Sequence, residues 1–159
     1  MAALHVQCWR ECYSDIVPKA LLEKSDASSR LSVWQESLAD ETRAAFAAYD
    51  GGVAIGFVVA RKPKEANFDG EDGHISMLYL REGYYRQGIG TELLKLAAAQ
   101  WLKQGGYSLS LSVLSENLRA RRFYEAMGAR LVKSSTYKWD EHELPNAIYV
   151  FENLPALIP

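Results

Sequence analysis

The spacing of apolar residues changes along the chain, and each change predicts a different element. Over residues 3–13, Leu4, Cys8, Trp9 and Cys12 recur at helical spacing, and Ile16-Val17-Pro18 closes that helix and opens the next. Two more helical stretches are predicted at 19–24 and 28–39. Beyond them β-branched and aromatic residues dominate. Residues 43–49 then predict a strand, Asp50-Gly51-Gly52 a hairpin turn, and 53–61 the partner strand. A polar loop spans 64–72, and the next strand is expected over 74–80.

After that strand and a turn over 81–87, Gly88-Ile89-Gly90-Thr91 opens a helix. Its residues Ile89, Leu93, Leu96 and Trp101 make one apolar stripe, and Gly105-Gly106 stops it. Tyr107, Leu109, Leu111 and Val113 alternate with Ser108, Ser110 and Ser112, which predicts a period-two strand returning parallel to the one before, a βαβ unit. A helix over 117–127 capped by Gly128 and two strands near 129–139 and 147–152 complete the pattern. The expected fold is a mixed α/β sheet covered by helices, one domain over residues 1–159, with no internal repeat, low-complexity tract or linker.

Composition narrows the function classes. A chain of 159 residues with 48% hydrophobic content has the material for a single substantial core. A formal charge of −2 and a pI near 5.9 give no basic footprint for nucleic acid, so none is expected as a direct partner. Cys8 and Cys12 stand one helical turn apart without a second Cys or His pair at zinc spacing, and read as two small core residues. Asp69, Glu71 and Asp72 do not have the spacing of a calcium loop, so a solvated loop and no metal are expected. No apolar run approaches the roughly 20 residues of a membrane span and no signal peptide is seen, which gives a cytoplasmic expectation and no membrane partner.

The candidate chemistry lies where the 74–80 strand meets the next helix. The first backbone N–H groups of a helix lack internal partners and carry the positive end of its dipole, and glycine there bares the backbone to an anion. Taken alone, Gly88 and Gly90 fit either a phosphate cradle or a packing turn. A dinucleotide or triphosphate site fits less well, since Leu93 stands in place of a third glycine and no Walker lysine is present. Further on, Asn117 and Tyr124 are seven residues apart, close to two helical turns, so both should project from one helix face.

Together with Asn117, Ala120, Phe123, Tyr124 and Gly128, the glycine turn resembles the GNAT superfamily of acetyl-CoA-dependent N-acetyltransferases, over Trp9 to Phe151. The resemblance implies a mixed, mostly antiparallel central sheet flanked by helices, with a central parallel βαβ unit at the CoA site. It implies that Tyr85, Arg86, Gln87, Gly88, Ile89, Gly90 and Thr91 hold the CoA pyrophosphate. Leu78, Tyr79 and Leu80 would line the pantetheine arm with their backbone, and the Leu78 N–H would face the thioester oxygen. Asn117 would hydrogen-bond the pantetheine, and the Tyr124 hydroxyl would protonate the departing thiolate.

The implied reaction moves acetyl from acetyl-CoA, the donor substrate, to a primary amine of a small molecule or a protein in a direct ternary complex. The alternative is a non-catalytic acyl-CoA-binding or regulatory module on the same fold. Three positions depart from the family pattern. His74 stands where many members carry glutamate; a side chain that titrates near neutrality is the expected base, directly or through a water, with a structural histidine as the other reading. Tyr85 replaces the usual Gln or Arg. No strand precedes the first helix, which leaves a sheet edge that a truncated segment, a terminal segment or a partner such as a second copy in a homodimer would cover. Arg119, Arg121 and Arg122 are expected on a solvated face, with one within reach of the CoA 3′-phosphate. Tyr13, Asp15, Trp34, Trp139 and His142 fall on the segments that wall the acceptor in the family.

Overall fold

Three helices open the computed structural model, which describes residues 1–158: α1 (Ala2–Tyr13), α2 (Lys19–Glu23) and α3 (Ala27–Ala39). The start of α3 is set by a capping box, in which Asp26 accepts from the Ser29 N–H at 2.7 Å and Ser29 Oγ accepts from the Asp26 N–H at 3.3 Å. Then come β1 (Ala44–Asp50), β2 (Val53–Arg61), β3 (His74–Leu80), α4 (Ile89–Lys103), β4 (Leu109–Leu114), α5 (Leu118–Ala126), β5 (Arg130–Trp139) and β6 (His142–Phe151). The six strands form one sheet in the order β1-β2-β3-β4-β6-β5, with β3 and β4 parallel and β6 antiparallel to both β4 and β5. This is the mostly antiparallel, helix-flanked sheet with one parallel βαβ crossover that the sequence predicts. β1 is a terminal strand of the sheet.

One element starts well before its predicted position. The last strand begins at His142 instead of residue 147, pairing Trp139↔His142 through Arg130↔Val150 across a two-residue turn in which Asp140 takes φ +52°. Charged residues and Pro145 hide this half of the strand from propensity. Pro145 lies one residue beyond the last β4 pair, Leu114↔Asn146, and still takes part on that side through its carbonyl, which accepts from the Ser115 N–H at 2.8 Å.

By packing, the chain falls into two compact units, Met1–Val59 with Met77–Ala97, and Ala60–Ser76 with Ala98–Pro159. The core of the first is built on Leu4, Cys8, Trp34, Phe57, Val59 and Met77. Burial pushes the Cys8 thiol up to about 12, with Glu11 adding to the effect, so this cysteine is an inert core residue as predicted. Trp34 is also core, 4% exposed.

His5, only 3% exposed, sits among Phe57, Tyr79, Trp34 and Trp9 with ring centroids 5.3–6.4 Å away, and its Nδ1 has no hydrogen-bond partner among the described residues. Burial, helped by the Arg30 charge, lowers its pKa from 6.5 to about 4. Because the folded value lies below the unfolded one, the unfolded chain binds the proton first as pH falls. Stability is therefore complete above about pH 6.5 and drains away through the window down to pH 4. This group alone is expected to remove about 2 kcal/mol between pH 7 and pH 5. Denaturant titrations across that range should show the loss in the native chain and a flatter curve for His5→Leu.

The second unit buries Leu109, Leu111, Ile148, Tyr149 and Leu154 almost completely, each contributing on the order of 1.5–3 kcal/mol. Two expectations are corrected here. The period-two pattern puts three serines on one face of β4, and Ser112 is exposed, yet Ser108 and Ser110 are 5% and 0% exposed because the loop carrying Glu71 and Asp72 contacts them. The acids of the 64–72 loop are not all solvated. Asp69 is exposed, but Asp72 accepts from Trp101 Nε1 at 2.9 Å, the Tyr107 N–H at 2.7 Å and the Ser108 N–H at 3.3 Å. Glu71 accepts from the Asn67 N–H at 2.5 Å and from Asn67 Nδ2 at 3.0 Å and 3.1 Å. These carboxylates close the loop onto the fold and bring His74 to the start of β3.

Candidate active site

The glycine turn forms as a pinned loop leading into an open helix start. Leaving β3, Arg81 donates its backbone N–H to the Ile55 carbonyl at 2.9 Å, and a 3-10 turn occupies Glu82–Tyr84. Glu11 of α1 grips this exit twice, accepting from Arg81 Nε at 2.8 Å and from the Glu82 N–H at 2.7 Å. The Tyr84 hydroxyl donates to Asp50 at 2.8 Å, and Gln87 Nε2 donates back to the Gly83 carbonyl at 3.1 Å. The chain then turns through Arg86 at φ +60° and Gly88 at φ +82°, and α4 makes its first internal bond from the Glu92 N–H to the Gly88 carbonyl at 3.1 Å.

Two left-handed residues fall in this short span, a backbone conformation of the kind that forms anion-binding nests. Gly88 is exposed, and among the described residues no atom from beyond its own chain neighbourhood lies within 4 Å of where a side chain would begin, so the approach to its backbone is open. The first-turn amides at Ile89 and Gly90 precede any internal acceptor. Tyr85 and Thr91 flank this run and are half-buried, while Arg86 and Gln87 are exposed. In the same unit Leu78, Tyr79 and Leu80 are half-buried at the end of β3, and the Tyr79 hydroxyl lies 3.3 Å from that of Tyr13.

In the second unit, the β3–β4 register pairs His74 with Ser110. Their side chains therefore emerge on the same face, and His74 Nδ1 lies 2.7 Å from Ser110 Oγ and 3.3 Å from Glu71 Oε1, while Ser110 Oγ also contacts Glu71 Oε1. Burial works to raise the Glu71 pKa, but the bonds from Ser110 and Asn67 and the charge of His74 outweigh it and leave the carboxyl below its ordinary range. Burial also lowers the His74 pKa, opposed by Glu71 and assisted by Arg61. The ring is consequently neutral at pH 7 and able to accept a proton.

α5 carries the other two predicted residues, and one of them differs from expectation. Helix α5 starts at Leu118, and Asn117 is its N-cap with φ −77° and ψ 67°, its Oδ1 accepting from the Ala120 N–H at 3.1 Å. The two-turn argument for a shared helix face therefore does not apply to Asn117, because an N-cap has non-helical backbone.

Tyr124 lies in the last turn of α5 and is 8% exposed. Its own carbonyl accepts from the Met127 and Ala129 N–H groups at 3.1 Å and 2.9 Å, and the Gly128 N–H donates to Glu125 at 3.0 Å. This helix stop needs φ +92° at position 128, which glycine adopts without cost. Arg121 is not on a solvated face: its Nε donates to the Tyr149 hydroxyl at 3.0 Å and its Nη1 to the Ser115 carbonyl at 3.1 Å, and Tyr149 donates to Glu125 at 2.5 Å. Arg121 thus braces the helix that holds Tyr124, whereas Arg119 and Arg122 are exposed.

Sequence reasoning missed Glu11, Glu71, Ser110 and Arg121. Only the three-residue step from Glu71 to His74 leaves a local trace; the others depend on strand register or on contacts across 28 to 71 positions.

Comparison with known proteins points in one direction. The model of the Acetyltransferase (GNAT) family matches residues 6–129. An uncharacterised N-acetyltransferase of Mycobacterium tuberculosis is 26% identical over 89% of this chain and 87% of its own length. The L-ornithine N5-acetyltransferase of Arabidopsis thaliana is 37% identical over 51% of this chain and 36% of its own. Among solved structures, the PaiA N-acetyltransferase of Thermoplasma acidophilum in complex with coenzyme A superposes with a TM-score of 0.67, at 21% identity over 92% of this chain and 89% of that one.

Proposed function

Because this chain belongs to the GNAT acetyltransferase family, we propose that it moves the acetyl group of acetyl-CoA directly to a primary amine in a ternary complex. The observation that carries the reading is the start of α4 with its unpartnered first-turn amides, open at Gly88 and reached through a loop whose beginning at Arg81 and Glu82 is held from α1 by Glu11. The residues present suit the donor. Gly88, Ile89, Gly90 and the neighbouring Tyr85, Arg86, Gln87 and Thr91 would hold its diphosphate, chiefly through backbone amides, so tyrosine in place of the family's first Gln or Arg costs little. Leu78, Tyr79 and Leu80 would lie along the pantetheine, with Asn117 donating to the same arm. The bound donor supplies an activated acetyl group as a thioester.

The chain's own residues then divide the work. An alkylamine with a pKa of about 10.4 is neutral in only about one molecule in 2,500 at pH 7, so a base must take its proton before it attacks. Neutral His74 takes that proton, directly or through one water. The Leu78 N–H stabilises the negative charge developing on the acyl oxygen, an effect worth roughly 3–4 kcal/mol in a dry, preorganised site. Tyr124 donates its phenolic proton to the departing sulfur. A protonated alkylamine such as the δ-amine named for the Arabidopsis relative is one acceptor of this chemistry, and a protein amine is another.

Incubation with acetyl-CoA and a pooled library of primary amines is expected to release free thiol in proportion to acetylated amine, and calorimetry should detect coenzyme A binding that Gly90→Asp abolishes. Binding without thiol release for every amine would identify an acyl-CoA-binding module instead of an enzyme. No heat with coenzyme A would remove the donor site itself.

A further inference from the structure

We propose that Glu71 and Ser110 are positioning residues that hold His74 as its Nδ1–H tautomer, leaving Nε2 as the basic atom of the transfer reaction. The inference rests on the reading of His74 as the base and adds the device that prepares it.

It follows from counting protons. The Glu71 side chain is wholly shielded from solvent and receives the Asn67 backbone and side-chain N–H groups, so it is an acceptor-only carboxylate. Ser110, 0% exposed, touches that carboxylate through Oγ, and two oxygens can meet there only if the single hydroxyl hydrogen lies between them. With its hydrogen given to Glu71, Ser110 Oγ has only lone pairs to offer His74 at 2.7 Å. Nδ1 must therefore carry the ring's proton, which also points it at Glu71 Oε1, 3.3 Å away. Both contacts use Nδ1 and neither engages Nε2.

The arrangement suits general-base work in both states of the ring. Before reaction, the Nε2 lone pair accepts a proton from the ammonium, whose N–H bonding pair stays on nitrogen as the nucleophilic lone pair. Afterwards the imidazolium still donates Nδ1–H to Ser110 and faces the Glu71 charge, which stabilises the new cation. The charged groups acting on the ring are Glu71 from the loop, which favours protonation, and Arg61 from the end of β2, which opposes it. A histidine kept only for packing has no need of a wholly buried carboxylate behind one nitrogen.

The tautomer can be read without knowing the acceptor. Long-range proton–nitrogen NMR spectra of the 15N-labelled full chain resolve its three histidines, with His74→Gln assigning the signal. At pH 7.5 His74 is expected as Nδ1–H. In Glu71→Gln, the fixed Asn67 N–H claims the amide oxygen, the amide NH2 turns to Ser110, and the serine hydrogen is driven onto Nδ1. The ring then switches to Nε2–H.

In thiol release from acetyl-CoA with the amine pool, that variant should lose about 30-fold in rate, with the acidic limb of the pH profile displaced downward. Ser110→Ala lets Nδ1–H meet Glu71 directly and should lose only about threefold. A native ring found as Nε2–H overturns the relay and leaves His74→Gln to judge the base by rate alone. An Nδ1–H ring in a protein whose rate ignores His74→Gln overturns the base assignment, and the relay's catalytic purpose with it.

Discussion

Replacing Tyr124 with phenylalanine is expected to lower turnover about 100-fold while leaving the affinity for coenzyme A within about twofold. The substitution removes one hydroxyl and keeps the ring, so the packing of this 8% exposed side chain beside Phe123 survives. The helix around it should also stay in place, because its supports belong to other groups. Arg121 reaches Tyr149 and Ser115, Tyr149 reaches Glu125, and the turn at Gly128 is closed by backbone bonds. What disappears in the proposed mechanism is the proton for the leaving sulfur. A phenol of pKa about 10 beside a thiolate whose conjugate acid has a pKa of about 8.5 is a slightly weak acid, so its value depends on being held in contact. Steady-state kinetics with any accepted amine, set beside calorimetry with coenzyme A, would check both halves. Turnover equal to that of the native chain would eliminate the hydroxyl as the acid, and a large loss of affinity would move Tyr124 from catalysis to binding.

Gly106→Ala is expected to destabilise the fold by about 3 kcal/mol, a change of about 150-fold in the folding equilibrium. A methyl group at 106 would stand 2.1 Å from Trp101 Nε1 and 2.3 Å from Cδ1. A free indole would swing away at small cost, but this one cannot. A side-chain carbon at Gly73 would meet the same ring at 2.5–2.7 Å, showing that the ring already lies against backbone there as well. Its Nε1 is also tied to Asp72, and it is 3% exposed. Two glycines and a carboxylate thus clamp one indole, and Gly73 leads directly into His74. Chemical denaturation of Gly106→Ala, Trp101→Leu and the double variant forms a cycle that isolates the clash. If the alanine costs as much with leucine at 101 as with tryptophan, steric conflict with the indole is not its cause.

Much of this architecture is legible in a single sequence. The switch from helical to strand period places the opening helices, the hairpin and the βαβ unit close to where they occur, since burying one face of each element imposes that spacing. The glycine turn is legible because left-handed backbone and bare amides require particular residues at adjacent positions. Where propensity and pairing disagree, reading fails: Pro145 and its charged neighbours conceal half of β6, which forms because β5 is there to pair with it. Asn117 was misplaced by one position, enough to turn a helix-face residue into a cap whose oxygen serves Ala120. The serines of β4 look alike in sequence, yet Ser112 is exposed while Ser108 and Ser110 are buried against the loop that carries Glu71 and Asp72.

Local sequence places most of the elements, the glycine turn with its amides, and the histidine and tyrosine proposed here as base and acid. All of these follow from residues near one another along the chain, where backbone geometry is set by local sterics. Tertiary structure alone decided the company those residues keep. Ser110 meets His74 across 36 positions because two parallel strands adopt one register, and Asp72 meets Trp101 across 29 because a loop folds back onto a helix. Register is chosen by the packing of the whole sheet, and a slip of one residue between β3 and β4 would turn Ser110 to the face opposite His74.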